Sequence, residues 1–165
     1  MRILVEDIMT RTPWCCAPDT NLAAVAELMW VHDCGALPVV AEGHVLGMIT
    51  DRDVAIALGT RDVPARYLTA VEAATAPVVF CREDDDVHAA LHLMGGARVR
   101  RLPVLNSEDE LVGMIGINDL ILAARPLDGR EAELDDEEVI ETMRQICAHA
   151  TTQVVAVETA LAAGA

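Results

Sequence analysis

The chain contains one unit twice, and this internal repeat constrains its fold more than any other feature. The segments GALPVVAEGHVLGMITDRDVAIAL (residues 35–58) and RRLPVLNSEDELVGMIGINDLILAA (residues 100–124) share one plan. Each runs from a loop through Leu-Pro-Val and a polar turn to Gly-Met-Ile and an apolar helix. Pro38 matches Pro103 at an offset of 65 residues, and Gly47 matches Gly113 at 66, so the second turn is one residue longer. Such a repeat predicts one supersecondary unit packed against its copy.

The repeat extends upstream over an amphipathic helix. Apolar residues recur at i, i+3, i+4 and i+7 in both copies, at Leu22, Val25, Ala26 and Met29 and again at Val87, Ala90, Leu91 and Met94. Each unit therefore predicts a strand, a helix, two strands and a second helix.

Local signals set the expected boundaries. In the first copy we predict a strand over residues 14–17, a helix capped by Asp19 or Thr20 and ending near His32, strands over residues 37–41 and 45–50, and a helix from about Asp51. In the second copy we predict a strand over residues 78–80, a helix over 85–95, a hairpin over 102–116 and a helix from about Ile117. The domains are then residues 1–58 and 70–125, joined by a linker at 59–69.

Residues 126–165 lie outside the repeat and predict an acidic linker followed by an amphipathic helix. Its apolar residues are spaced alternately by three and four, at Ile140, Met143, Cys147, Ala150, Val154, Val157 and Leu161. The helix could pack on its own module or pair with another subunit. We favour pairing, and we expect a homodimer.

Charge and hydropathy exclude several classes of protein. The 27 acidic and 12 basic residues give a net charge of −15, which opposes binding to nucleic acid because phosphate contacts need a basic face. The apolar runs are far shorter than the roughly 20 residues of a membrane span. Glu6 and Asp7 lie where a leader peptide needs apolar residues, and five cysteines fit no closed disulfide framework. We expect a cytoplasmic protein without membrane association.

The sequence TDRD after Gly-Met-Ile suits a nucleotide. Asp53 can accept hydrogen bonds from both ribose hydroxyls, while Thr50 and Arg52 can meet phosphate oxygens at the start of a helix. Gly47 would let the backbone approach a ligand closely. The alternative is that Thr50 and Asp53 only cap the helix, since Thr-x-x-Asp is also a capping pattern.

The ordered runs DIMTRTP, GALPVV and GMITDRDV, with their second copies, resemble the CBS domain, named after cystathionine β-synthase. The resemblance covers residues 1–125. It implies an α/β fold of tandem β-α-β-β-α repeats forming one pseudo-two-fold module, here with an added C-terminal helix. It also implies a non-enzymatic regulatory role, without a required cofactor, in which clefts between the repeats bind AMP, ADP, ATP or S-adenosylmethionine. The regulated protein is unknown.

The same resemblance implies where the base and the phosphates lie. The adenine slot would be formed by Thr12, Pro13, Trp14 and Cys15 together with Gly35, Ala36, Leu37 and Pro38. Trp14 could stack on the base or belong to the core. In the second copy Asp119 is kept, but Gly116 and Asn118 replace Thr50 and Arg52. Arg100 and Arg101 are implied to lie near phosphates, or alternatively to form a surface patch with Arg98.

Other constellations favour no chemistry. Cys15, Cys16, Cys34 and His32 could approach one another, and His88 and His92 are four residues apart, but paired Cys-x-x-Cys spacing is absent, so we expect no metal. No nucleophile motif is present, so we expect no catalytic residue. The second hypothesis is a structural or oligomerisation module with empty clefts that acts through its C-terminal helix.

Overall fold

The computed structural model describes residues 3–124 and 134–148. In chain order the elements are α1 (Val5–Ile8), β1 (Thr10–Arg11), α2 (Leu22–Val31), β2 (Ala36–Ala41), β3 (His44–Thr50), α3 (Asp51–Thr60), a 3-10 turn (Ala65–Tyr67), α4 (Ala70–Ala73), β4 (Cys81–Arg82), α5 (Val87–Ala97), β5 (Arg101–Leu105), β6 (Leu111–Gly116), α6 (Ile117–Ala123) and α7 (Asp136–Cys147). The predicted α/β architecture of two similar repeats and a C-terminal helix is confirmed.

The first repeat is built on the hairpin of β2 and β3. The strands pair antiparallel from Ala36 opposite Thr50 to Ala41 opposite His44. Both residues of the turn, Glu42 and Gly43, have positive φ angles of 51° and 85°, the turn geometry that matches the twist of a hairpin. Helices α2 and α3 cover this hairpin, and Leu22, Val25, Leu37 and Ile49 are among the fully buried residues of its core.

Two predicted boundaries in the first repeat are wrong. The N-cap of α2 is Asn21, whose side chain accepts a hydrogen bond of 3.1 Å from the Ala24 amide, and not Asp19 or Thr20. Thr20 instead belongs to a preceding turn, in which its amide donates to the Ala17 carbonyl. The strand predicted over residues 14–17 is reduced to one parallel bridge between Cys16 and Val39.

The second repeat carries the larger sheet, with the strand order β1, β6, β5 and β4. Strands β5 and β6 pair antiparallel, and β4 pairs parallel to β5 through Cys81 opposite Val104. The first strand of this repeat begins at Cys81, so the prediction of a strand over residues 78–80 is wrong. Cys81 and Cys16 occupy equivalent places in the two repeats. Cys81 pairs in parallel with Val104 of β5, and Cys16 pairs in parallel with Val39 of β2.

The first segment of each repeat crosses to the opposite repeat. Helix α1 and strand β1 belong to the first repeat in sequence, yet Val5 lies in the second core and Thr10 pairs with Met114 of β6. Reciprocally, Ala70 of α4 lies in the first core, and Thr75 exchanges backbone hydrogen bonds of 2.8 and 3.1 Å with Met48 of β3. Each core therefore includes a short segment that belongs, in sequence, to the other repeat.

Helix α7 packs on the second repeat of its own chain. Leu134 and Val139 are buried in the second core, with Met143 and Ile146 packed against it, while Ile140 and Cys147 stay exposed. The face of α7 that packs on its own repeat is offset by one residue from the predicted stripe, and pairing of the exposed Ile140 and Cys147 with another subunit stays a prediction. The remainder of the predicted stripe, from Ala150 to Leu161, lies outside the described residues.

Within residues 3–124 and 134–148, no helix is both long enough and apolar enough to cross a membrane.

Candidate functional site

The residues predicted to hold a ribose lie where β3 ends and α3 begins. Thr50 is opposite Ala36 at the end of the hairpin, and the Asp51 amide donates a hydrogen bond of 3.2 Å to the Gly35 carbonyl. A Cβ atom on Gly35 would lie 3.1 Å from Asp51 Oδ2, so a side chain at this position would require the Asp51 carboxylate to shift. The loop containing Gly35 and the start of α3 therefore form one continuous surface.

Thr50 and Asp53 form a complete capping box. The Thr50 amide and hydroxyl donate to Asp53 Oδ2 at 2.9 and 2.6 Å, and the Asp53 amide donates to Thr50 Oγ1 at 3.2 Å. The capping alternative is thus correct as geometry. All the bonds accepted by the carboxylate use Oδ2, and Oδ1 forms no hydrogen bond with any residue that the structure describes. One carboxylate oxygen is fixed by the cap, and the other is available to a ligand.

The second repeat has a weaker version of this arrangement. The Gly116 amide donates to Asp119 Oδ2 at 2.7 Å, and no hydroxyl group adds to this bond because Gly116 replaces Thr50. Arg101 is the residue opposite Gly116, as Ala36 is opposite Thr50, and its Cγ lies 3.7 Å from where a Cβ of Gly116 would be. The first repeat thus pairs a small residue, Ala36, with Thr50 at this position, whereas the second repeat pairs a large residue, Arg101, with Gly116.

Three arginines of the second repeat carry positive charge without a counter-ion. Arg98, Arg100 and Arg101 are exposed, and none of them forms an ion pair in residues 3–124 and 134–148. Burial raises the pKa of Cys34 above its ordinary value, and the positive charge of Arg101 acts in the opposite direction. Because that charge reaches Cys34 of the first repeat, Arg101 lies close to the boundary between the repeats.

The segment around Cys16 runs beside β2, which is the arrangement that the predicted adenine slot requires. Cys16 exchanges backbone hydrogen bonds with Pro38 and Val40 at 3.0 and 2.9 Å. Trp14 is 59% exposed, so it does not belong to the core. One face of its ring stacks on His32, with ring centres 3.6 Å apart and the planes inclined by 11°. A base could therefore meet only the opposite face of Trp14 while this stack persists.

The expectation that Gly47 admits a ligand is wrong. A Cβ on Gly47 would lie 2.8 Å from the Ala74 Cβ, and one on Gly113 would overlap Met9. Ala74 and Met9 end the two segments that cross between the repeats. The repeated Gly-Met-Ile thus marks where each hairpin admits a crossing segment of the protein itself, a role that sequence spacing alone did not identify.

The two prominent cavities do not coincide with the predicted site. One of about 310 Å³ lies beside α7 and is lined by His92, Glu138 and Gln145 among others. The other, of about 270 Å³, lies between the two hairpin turns and is lined by His44, Val45, Val78, Phe80, Leu105 and Asp109. Neither cavity is lined by Asp53 or Asp119, both of which are half-buried, and the ligand-binding role of these residues stays a prediction.

The histidines and cysteines that could have suggested a metal have other contacts. His88 Nδ1 lies 2.9 Å from Glu138 Oε2, and His92 Nε2 lies 3.3 Å from Glu138 Oε1. Both histidines of α5 therefore contact α7. His92 is exposed, as expected from the sequence, whereas His88 is only partly exposed. Burial raises the pKa of Cys16 to about 11 and that of Cys81 to about 12. The described part of the chain contains no group of three His, Cys, Asp or Glu side chains placed to hold a metal.

Comparison with known proteins identifies the repeat. The family model described as "CBS domain" matches residues 5–60 and again residues 70–125. The CBS domain-containing protein YhcV of Bacillus subtilis is 32% identical over 120 residues, which are 70% of this chain and 81% of that protein. Both halves of the internal repeat therefore have the same family match.

Two solved structures are similar over most of the described fold. The CBS domain pair of protein MJ0100, in complex with 5′-methylthioadenosine and S-adenosyl-L-methionine, is 26% identical with a TM-score of 0.67, over 74% of this chain and 95% of that one. Hypoxic Response Protein I, with two coordinated zinc ions, is 30% identical with a TM-score of 0.67, over 73% of this chain and 98% of that one. One of these relatives thus holds adenosyl ligands and the other holds metal.

Proposed function

The chain belongs to the CBS-domain family as a tandem pair of CBS domains, and from this we propose that it is a non-enzymatic regulatory module that binds an adenine nucleotide or another adenosyl ligand between its repeats. The state of the Asp53 carboxylate carries the proposal. Its Oδ2 completes the cap of α3, whereas its Oδ1 has no hydrogen-bond donor in the described residues. An ionised oxygen with open lone pairs is a suitable acceptor for the hydroxyls of a ribose.

The surrounding charges support a phosphorylated ligand. The amides at the start of a helix favour an anion, and Arg52 in the first turn of α3 is exposed without an ion pair in the described residues. Arg100 and Arg101, which form no ion pair within residues 3–124 and 134–148, supply further positive charge in a chain whose net charge is −15. We therefore place AMP, ADP and ATP first among the adenosyl ligands, with S-adenosylmethionine in the same class.

Trp14 supports a place for the base. Its ring lies next to the loop that precedes β2, and the face that does not contact His32 contributes to its exposure of 59%. Aromatic rings stack favourably in offset parallel arrangements. We propose that adenine stacks on the outer face of Trp14, which would make a layered arrangement with His32 beneath.

Binding at this place would couple the two repeats. A ligand whose ribose contacts Asp53 of the first repeat and whose phosphates contact Arg101 of the second would favour one arrangement of the repeats over others. We propose that a partner protein responds to that shift, that the chain acts as a homodimer, and that it does so in the cytoplasm. First-repeat binding is better supported than second-repeat binding, because Asp119 has neither a hydroxyl nor an adjacent arginine matching Thr50 and Arg52.

The alternative is a structural or oligomerisation module with empty clefts. The position of the two prominent cavities favours this alternative, because neither cavity is lined by Asp53, Asp119, Arg100 or Arg101. In this alternative the protein would act through its C-terminal helix.

Two measurements on the purified protein distinguish these functions. Mass spectrometry of small molecules released on denaturation should detect an adenosyl compound, and AMP, ATP or S-adenosylmethionine should raise the melting temperature because a ligand of the folded state stabilises it. GMP serves as a matched control for phosphate binding without adenine. No released adenosyl compound and no shift at millimolar concentration would favour the structural module.

A further inference from the structure

Helix α7 covers the outer face of α5 in the second repeat. Thr142 and Gln145 of α7 lie over Gly95, which is buried, and a Cβ atom on Gly95 would overlap Gln145. Alignment of the first residues of α2 and α5 makes Trp30 the residue of the first repeat that corresponds to Gly95. Trp30 is 86% exposed within the described part of the chain. The cover by α7 therefore distinguishes the second repeat from the first.

Two histidines of α5 converge on one carboxylate of α7. His88 Nδ1 lies 3.0 and 2.9 Å from the two carboxylate oxygens of Glu138, and His92 Nε2 lies 3.3 Å from Glu138 Oε1. The two histidines are four residues apart, so they lie on the same side of α5. The corresponding residues of α2 are Ala23 and Glu27, which cannot form this arrangement. The contact is therefore specific to the repeat that α7 covers.

The other ionisable groups around this contact are carboxylates and one guanidinium. Asp86 caps α5 by accepting a hydrogen bond of 2.8 Å from the His88 amide, and α6, which also packs on α7, contains one charged residue, Asp119. Carboxylates and guanidinium groups in general keep their charge between pH 5.5 and pH 7.5, whereas imidazoles change theirs. The charged residues of α7 and its N-cap, besides Glu138, are Asp135, Asp136, Glu137, Glu141 and Arg144.

We propose that His88, His92 and Glu138 form a pH-sensitive latch, which holds α7 on the second repeat more tightly when the imidazoles are protonated. A neutral imidazole can donate a hydrogen bond to Glu138, and protonation adds a positive charge to the same contact. Only docked α7 brings Glu138 to the imidazoles, so the docked state binds protons more tightly than the open state. The contribution of the latch is therefore full at low pH and is lost as the pH rises through the range in which histidine titrates.

The latch adjusts a docking that apolar contacts also support. Leu134 and Val139 are buried in the second core, and the burial of apolar side chains does not depend on protonation. The face of α5 around Gly95 is then uncovered more often near pH 7.5 than near pH 5.5. This inference is independent of the proposed nucleotide, because none of the three latch residues is among the proposed ligand contacts.

Hydrogen exchange at pH 5.5 and pH 7.5 tests the latch, with each rate divided by the intrinsic exchange rate at that pH. Protection of the amides of α7 (Asp136–Cys147) in the parent should be about 3- to 10-fold higher at pH 5.5, as expected for two partly exposed ion pairs. Protection of α2 in the same molecule provides the reference, because that helix has no contact with the latch residues among the described side-chain bonds.

Glu138→Gln separates the latch from a purely structural contact, because it keeps the size of the side chain and its capacity for hydrogen bonds. Protection of α7 in this variant should equal that of the parent at pH 7.5 and should not rise at pH 5.5. A purely structural contact would instead lower protection equally at both pH values. His88→Gln should remove more of the rise than His92→Gln, since the contact of His88 is shorter and less exposed.

Glu141→Gln is the matched control. Glu141 lines the same cavity beside α7 and pairs with Arg144 at 3.3 Å, so its replacement removes an equal charge without removing the carboxylate that the histidines contact. This variant should keep the rise in protection at pH 5.5. Equal protection of α7 at both pH values in the parent, a rise retained in Glu138→Gln, or a rise lost in Glu141→Gln would overturn the latch.

Discussion

At the scale of single residues, the glycines differ in how close their neighbours lie and therefore in how well each position would tolerate a side chain. Gly47 and Gly113 lie under the segments that cross between the repeats, and Gly95 lies under α7. Gly96, one residue later, is exposed with no atom within 4 Å of its Cβ position. The cost of an added methyl group therefore tests which contacts of the backbone are close.

Gly47→Ala should lower the free energy of unfolding by about 1–3 kcal/mol, because the methyl group would lie 2.8 Å from the Ala74 Cβ and 3.4 Å from the Thr75 carbonyl. Gly96→Ala is the control, and it should gain up to about 1 kcal/mol as an exposed helical position. Urea unfolding measures both. Equal stability of the two variants would show that the crossing segment does not approach Gly47 closely.

The buried thiols predict a loss of stability in alkali. Their pKa values rise from 9.0 to about 11 for Cys16 and about 12 for Cys81, chiefly through burial. Their contribution is full below pH 9 and is lost as the pH rises through these folded values, at about 1.4 kcal/mol per pH unit for each thiol. Burial also raises the pKa of Cys34, so this thiol contributes in the same direction, and the chain has no lysine and one tyrosine.

Urea unfolding between pH 8 and pH 10 measures this dependence. Cys81→Ala should lower stability at pH 8 and also reduce its decline towards pH 10. Cys147→Ala should change neither, because that thiol is exposed. A decline with pH that is the same in Cys81→Ala as in the parent would contradict the assignment.

At the scale of elements, the hairpins and long helices could be predicted because their signals are local. The Gly-Met-Ile repeat and the helical spacing around Leu22 and Val87 placed β2, β3, β5, β6, α2 and α5 to within a few residues. The exchange of α1 and α4 between the cores could not be predicted, because helices of four residues show no periodicity and their partners are distant in sequence. Likewise, spacing alone did not show that Gly47 faces Ala74.

Helix α7 shows that a correctly predicted helix can bury a face next to the predicted stripe. Its sequence offers apolar residues at Val139, Ile140, Met143, Ile146 and Cys147, so two overlapping stripes are available. The structure buries Val139 rather than Ile140, because the chain's own second repeat provides a face with Gly95 at its centre. Which stripe is buried depends on this tertiary partner, and the helix sequence does not contain that information.

Gly95→Trp should detach α7 by copying the side chain found at Trp30 of the first repeat. The indole would occupy the space of Thr142 and Gln145. Hydrogen exchange should become faster throughout α7 (Asp136–Cys147), because local opening removes amide protection. Gly96→Trp is the matched control, since that position is open to solvent. Unchanged protection of α7 in Gly95→Trp would contradict the packing.

At the scale of the whole molecule, two repeats of one plan have acquired different surfaces. The first keeps the Thr50 and Asp53 cap with a free carboxylate oxygen and an uncovered helical face. The second has Arg100 and Arg101 exposed at the start of β5 and has α7 packed over its helices. The exchange of crossing segments ties both repeats into one unit, so a ligand that contacts either repeat can affect the other.

The sequence predicted the position of the Thr50, Asp53 and Gly35 junction better than its side-chain contacts. Motif order placed Thr50, Asp53 and Gly35 together, as the structure has them, because short-range strand and helix signals determine that junction. Which oxygen of Asp53 accepts the capping hydrogen bonds depends on side-chain geometry, and so does the stacking of Trp14 on His32. The sequence does not contain this geometry. The binding of a nucleotide at these residues is still to be measured.

Calorimetric titration with AMP and ATP tests the central claim most directly. Asp53→Ala should weaken binding by roughly 30- to several-hundred-fold, equivalent to about 2–4 kcal/mol for lost charge-assisted hydrogen bonds. Asp119→Ala should have a smaller effect. Glu72→Ala is the matched control, because Glu72 caps α4 through the same bonds to Thr69, at 2.8 and 2.6 Å, away from the proposed site. It should bind as the parent does. Parent-like affinity in Asp53→Ala, with binding abolished in Asp119→Ala, would contradict the assignment to the first repeat, and no binding of either nucleotide by the parent at millimolar concentration would contradict the nucleotide function itself.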